Sequence, residues 1–198
     1  MKDDRITLRA LMALGSDIRV EVIEGVMVDK PAEGMLHQVV MQNIFRRFDA
    51  YSRPLPDVEA MYDGPLYLFD LRSETVENAL SPDVSIFRVP DMPLGWKLSD
   101  PIPCVPALVV EIISHNDSVE QTRLRLRTYL EAGTEQVWVV YPEEQELHQF
   151  VRGETEVRVY QSDGLIDTGT LFPGFALQHS DVFKLPRWAT ANPFAPTE

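Results

Sequence analysis

Leu8, Leu11, Met12 and Leu14 fall at helical spacing and predict a short helix over residues 6–14. The period then changes to two. Ile18, Val20 and Val22, followed by Val26 and Val28, read as a strand that turns back at Glu24-Gly25. From Met35 to Tyr51 the positions Leu36, Val39, Val40, Ile44 and Phe48 predict an amphipathic helix packed on a sheet, with Arg46 and Arg47 on its polar side. Strands follow around 57–62 and 65–70, then a loop rich in Glu and Ser. SPDVSIF at 81–87 leads through a proline-studded connection to PALVVEII at 106–113, which has the continuous apolar content of a strand buried on both faces. The next helix should start near Asn116 or Asp117, either of which can cap it, and run to Glu131 before Gly133 stops it. Its expected buried stripe is Val119, Leu126 and Leu130. QVWVVY at 136–141 is a second buried strand, so strand, helix and strand form a right-handed crossover and the central sheet holds a parallel pair. ELHQFVRG and ETEVRVYQ read as a hairpin joined at Gly153, and LFPGFALQHSDVF as a last strand with one helical turn.

A chain of 198 residues, 44% hydrophobic and 25% charged, matches one domain with a packed core. There is no internal repeat and no low-complexity tract, and prolines mark loops and the tail. The apolar runs fall far short of the roughly 18–20 residues that span a bilayer, so no membrane partner is expected. The N-terminus lacks the apolar core of a secretory signal, and the single cysteine, Cys104, excludes an intrachain disulfide; both point to the cytoplasm. Lys and Arg total 18 against 31 Asp and Glu, a net charge of −13. That balance repels a polyanion at long range, so a nucleic-acid role requires a local basic patch.

Candidate chemistry begins at Glu111, because a carboxylate inside Leu-Val-Val-Glu-Ile-Ile must be protonated, paired or metal-bound. Asp83 opens the strand-like DVSIF directly after Pro82, and two adjacent strands would bring these acids together. An oxygen-only pair of that kind suits Mg²⁺ or Mn²⁺, which would activate water and stabilise phosphoryl oxygens. Taken alone, Pro82-Asp83 also fits a turn. His37, His115, His148 and His179 show no zinc-ligand spacing, and no GxSxG, Walker or GxGxxG motif is present. Ser114-His115-Asn116-Asp117 reads as a strand-to-helix turn with a cap and not as a triad, since adjacent residues point in different directions.

VEVIEG at 20–25, His37, SPDVSIF, VVEIISHND, RLRLRTYLEAG and QVWVVYP occur in an order and spacing that resembles the Uma-two family over about residues 16–185. That family groups endonucleases of the restriction-endonuclease-like, PD-(D/E)XK superfamily. The resemblance implies an α/β (α+β) fold, a central mixed β-sheet flanked by helices with an acidic metal site at the strand ends. It divides the chain into an N-terminal helical extension at 1–15, a nuclease-like domain at 16–185 and a Pro-rich tail at 186–198. It assigns Asp83 to the PD aspartate and Glu111 to the D/E position, with Glu21 as a third metal ligand, and implies bound Mg²⁺ or Mn²⁺. Glu21 also fits an exposed position on an alternating strand. The usual lysine, two residues after Glu111, is replaced by Ile113. Related members carry a lysine in the following helix four residues before a tyrosine; here the tyrosine is Tyr129 and the matching position is Arg125. Arginine cannot readily deprotonate, so Arg125 would act as an electrostatic clamp on phosphate and not as a general base. It also fits a solvated helix charge beside Arg123 and Arg127. His37 would orient a site carboxylate, touch phosphate, or be an ordinary satisfied helix histidine.

The expected activity is therefore Mg-dependent endonucleolytic hydrolysis of DNA, with Asp83, Glu111 and Arg125 catalytic and Glu21, His37 and Tyr129 as further candidates. Phosphate grip would come from Arg123 and Arg127, with Arg46, Arg47 and Arg53 if folding brings them near. Binding would be weak and salt-sensitive, and a homodimer is expected. The alternative is a catalytically weakened nuclease fold that binds metal or a partner.

Overall fold

The computed structural model describes residues 5–14, 19–30, 32–63, 65–72, 74–114 and 117–190. Thr7 Oγ1 accepts from the Ala10 amide at 3.1 Å and caps the first helix, α1 (Leu8–Ala13). β1 (Val20–Ile23) and β2 (Val26–Asp29) pair through a two-residue turn at Glu24 and Gly25, both at positive φ (52° and 81°). That is the primed geometry whose twist suits a hairpin, and Gly25 adopts it without a Cβ penalty. α2 (Met35–Ser52) follows, then β3 (Val58–Tyr62), β4 (Tyr67–Arg72), β5 (Thr75–Leu80), β6 (Val84–Arg88) and β7 (Leu108–Ile112). α3 (Val119–Ala132) connects β7 to β8 (Gln136–Tyr141), and β9 (Glu146–Val151), β10 (Val157–Tyr160), β11 (Leu165–Asp167), β12 (Ala176–Gln178), α4 (His179–Val182) and α5 (Arg187–Thr190) follow among the described residues.

The fold is α+β around a six-stranded mixed sheet in the order β10-β9-β8-β7-β6-β3. β7 and β8 are parallel, with Leu108 opposite Gln136 and Ile112 opposite Val140, as the crossover requires. One face packs on α2, whose Val40, Met41, Ile44 and Phe48 meet Ile86, Val110, Trp138 and Val140. Phe48 stacks on Phe175 with centroids 4.0 Å apart. The other face meets α3 through Tyr129, which lies with Val109, Val137 and Val139. Ile23 and Leu80 join that cluster from a second sheet, β2-β1-β5-β4, whose far side is closed by Leu11 of α1. Among the described residues no helix is long and apolar enough to cross a membrane.

Three sequence expectations need correction. Residues 75–80, expected as loop, form β5 between β1 and β4. A register shift between Leu68 and Leu71 breaks regular pairing with β4, and β5 buries Val76, Ala79 and Leu80 without strict alternation, so the period-two signal is lost. α3 is capped by Ser118, whose Oγ accepts from the Gln121 amide at 3.1 Å. Asp117 instead closes the preceding turn by accepting from the Ser114 amide and hydroxyl, and His115 and Asn116 lie outside the described residues. Finally, α3 buries Arg125, Thr128 and Tyr129, while Val119 is 78% exposed and Leu126 and Leu130 are half-buried. The helix turns toward a polar partner that a hydrophobic-stripe argument does not see. Ser118→Ala is expected to lower Tm by about 2–4 °C, the effect of losing roughly 1 kcal/mol of capping in a domain of this size. Thermal unfolding followed by circular dichroism checks it.

Candidate functional site

Antiparallel β6 and β7 pair Val84 with Val110 and Ser85 with Val109. One step further along that register, Asp83 and Glu111 become cross-strand neighbours on the face turned toward α3. Both are buried. Asp83 Oδ2 accepts from the Ile112 amide at 2.7 Å and lies 3.1 Å from His37 Nε2, while its Oδ1 accepts from Lys30 Nζ at 2.9 Å. Glu111 Oε1 accepts from the Tyr129 hydroxyl at 2.5 Å. On the neighbouring sheet, Glu21 is 0% exposed and accepts from the Ser81 amide at 2.9 Å and Arg125 Nε at 2.8 Å. Lys30 also donates to the Ser81 carbonyl at 2.6 Å, so the segment leading into Asp83 is held on both sides. Lys30, Asp83, Glu111, Asp117, Thr122 and Arg125 line one cleft.

The carboxylates have opposite electrostatic fates. Burial opposes the charge of Asp83, but Lys30, His37 and the Ile112 amide outweigh it and hold its carboxyl well below the usual range. Burial, reinforced by the Asp83 charge alongside, pushes Glu111 up to about 8, with Lys30 pulling the other way. Burial disfavours the charge on Lys30 and on Arg125, yet Asp83 for the first and Glu21 for the second raise both above their ordinary values. Tyr129 is also raised, by burial and by Glu111. His37 loses proton affinity to burial and regains more from Asp83.

Asp83, Glu111, Glu21, Arg125, His37 and Tyr129 are thus gathered in one network. Arg123, Arg127, Arg46, Arg47 and Arg53 are not among the residues that line this cleft. Arg123 is exposed, Arg127 pairs with Glu24 at 2.6 Å, Arg46 bonds to Gln42, Arg47 to the Ala176 carbonyl, and Arg53 to Asp49. Arg125 is not a solvated helix charge, and Glu21 is not an exposed strand position. Sequence reasoning missed Lys30. The available signal was scarcity: the chain has four lysines, and Lys30 directly follows a predicted strand.

The donor chemistry fits a divalent cation in one form only. Among the described residues no three His, Cys, Asp or Glu side chains converge to hold a metal. Glu21 is occupied by Ser81 and Arg125. Asp83 and Glu111 remain, an all-oxygen pair in which a cation would offset the burial and the Asp83 charge that together hold the Glu111 carboxyl protonated. Mg²⁺ commonly binds one or two carboxylates together with waters and substrate phosphate, so the pair fits Mg²⁺ or Mn²⁺ without Glu21.

A model of the Uma2 family, described as "Putative restriction endonuclease", matches residues 7–180. A solved structure described as "a putative nuclease belonging to DUF820", from Anabaena variabilis, is similar at TM-score 0.74 and 21% identity, over 90% of this chain and 97% of that one. The likeness shows a shared fold. A search of curated proteins gave no match.

Proposed function

The chain belongs to the Uma2 family, and we propose that it is a Mg²⁺- or Mn²⁺-dependent endonuclease of the PD-(D/E)XK type that hydrolyses phosphodiester bonds of DNA. The observation that carries this reading is the buried Asp83–Glu111 pair on adjacent strands, beside buried Arg125 and half-buried Lys30 in one cleft. Asp83 and Glu111 would hold the metal, which would supply Lewis-acid activation of water and charge neutralisation at phosphate. The chain's own residues do the rest. His37 and the Ile112 amide fix the orientation of Asp83, and Tyr129 fixes Glu111. In the reaction a water oxygen bonds to phosphorus while the bond from phosphorus to the leaving sugar oxygen breaks. The water proton passes to solvent, and the leaving oxygen is protonated.

With a net charge of −13, duplex affinity should be weak and fall steeply with salt. A cytoplasmic homodimer belongs to the same reading, and solution mass tests the dimer. Divalent-dependent nicking or cleavage of plasmid DNA, abolished in Glu111→Ala, is the expected result. Calorimetric titration of Mn²⁺ into both proteins should show saturable binding in the wild type alone. Cleavage that survives Glu111→Ala would remove Glu111 from the chemistry.

A second reading, a metal- or partner-binding module that cuts nothing, is favoured by Ile113 in the lysine position and by the pairing of Arg125 with Glu21. Saturable Mn²⁺ binding without cleavage of DNA or RNA is its expected signature.

A further inference from the structure

The two cations of the cleft differ in how far their carboxylates depend on them. Among the described residues, Glu21 accepts hydrogen bonds from Arg125 and from the Ser81 amide, and it is 0% exposed. Withdrawing Arg125 would leave a charge in the interior without its counter-ion, which folded proteins rarely tolerate. Arg125 also lies 3.7 Å from Asp117, a second tether.

Lys30 is differently placed. Its side chain is 12% exposed where it lines the cleft, and among the described residues its acceptors are Asp83 and the Ser81 carbonyl. An ammonium has three N–H groups, so one remains for a ligand. Asp83 keeps the Ile112 amide at 2.7 Å and His37 at 3.1 Å when Lys30 turns away. The flexible lysine stem can therefore follow an incoming anion while the Arg125 guanidinium stays on Glu21.

Resting on the nuclease reading above, we infer that Lys30, carried by the segment after β2, is the catalytic residue that contacts a non-bridging oxygen of the scissile phosphate. Arg125 is then a positioning residue that holds Glu21 and, through it, the segment entering Asp83. A lysine reaches the acidic pair by a route other than the strand position filled by Ile113 or the helix position filled by Arg125. In this role Lys30 is a charged hydrogen-bond donor to the phosphate.

The test uses the full chain and a short fluorescein-labelled DNA duplex, with cleavage read in Mn²⁺ and binding read by anisotropy in Ca²⁺. Lys30→Gln is expected to lose about a hundredfold in cleavage, with Lys30→Arg, which keeps the charge, recovering part of it. Mn²⁺ affinity measured by calorimetry should hold or tighten a few-fold, because a cation beside the carboxylates is gone. Loss of Mn²⁺ affinity in both variants would make Lys30 a structural prop and overturn its assignment. Cleavage by Lys30→Gln within about threefold of the wild type also overturns it, and leaves the nuclease reading standing. If the wild type binds the duplex without cutting it, the nuclease reading fails alone: weaker binding by Lys30→Gln keeps the phosphate contact, and equal binding removes it. A wild type that neither cuts nor binds overturns both.

Discussion

Arg125→Met should lower the free energy of unfolding by ~3–5 kcal/mol, the usual consequence of removing one partner from a buried ion pair. Glu21 is 0% exposed, and its remaining partner among the described residues would be the Ser81 amide. The charge cannot reach water without opening the contact between the small sheet and α3, where Ile23 and Leu80 lie with Tyr129 and Val109. Urea denaturation at neutral pH measures the loss directly, as a fall in midpoint at unchanged slope. Removing both charges, in Glu21→Gln with Arg125→Met, should restore part of the loss, because the penalty lies in the unpaired carboxylate and not in the absent attraction. Arg125→Lys should fall between, since a point charge replaces a guanidinium whose Nε already fits the Glu21 geometry. A single variant within about 1 kcal/mol of the wild type would mean that Arg125 does not carry the Glu21 charge.

The site became legible in proportion to how far each residue's position follows from strand periodicity. Asp83 and Glu111 lie on short apolar runs whose strand character is unambiguous, and a carboxylate inside such a run marks itself. Glu21 is harder. On a strand with one solvated face it would point outward, but β1 is covered on both sides, by α1 through Leu11 and by the cluster of Ile23, Leu80 and Tyr129, so Val22 and Glu21 are both buried. Alternation identifies two faces without saying which is wet. Arg125 fails the stripe argument for a related reason, since its inward position depends on a carboxylate 104 residues away in sequence. Lys30 follows a strand whose own residues are largely exposed, and nothing local distinguishes it from a solvated lysine. The fold was more legible than the site because helix and strand periods are local, whereas ion pairing across two sheets is not.

Without metal, the stability of this protein should fall as pH rises from about 5 to about 8, by up to ~1.4 kcal/mol per pH unit, and Glu111→Gln should flatten that fall. Glu111 is raised from the ordinary glutamate value of 4.5 to about 8, chiefly by burial and by Asp83. Between those values the folded state keeps a proton that the unfolded chain has released, so folding takes up a proton and is disfavoured as protons become scarce. The contribution is fully present below the unfolded value and is lost as pH passes through the folded one. Asp83 works in another window: its depressed carboxyl adds stability above the unfolded aspartate value and loses it only in strong acid. His37, raised by Asp83 against burial, adds a loss from its ordinary value of 6.5 upward that Glu111→Gln leaves in place. The slope between pH 5 and 6.5 therefore reports Glu111 most cleanly, and thermal or urea unfolding across that range reads it. Added Mg²⁺ or Mn²⁺ should reverse the slope in the wild type, because a cation binds the ionised pair and stabilises the folded state more as Glu111 gives up its proton. Glu111→Gln should lose that reversal with the slope itself. If the wild-type slope is flat before metal is added, Glu111 is already ionised, its charge is met by Lys30 and Arg125, and the pair has less to gain from a divalent ion.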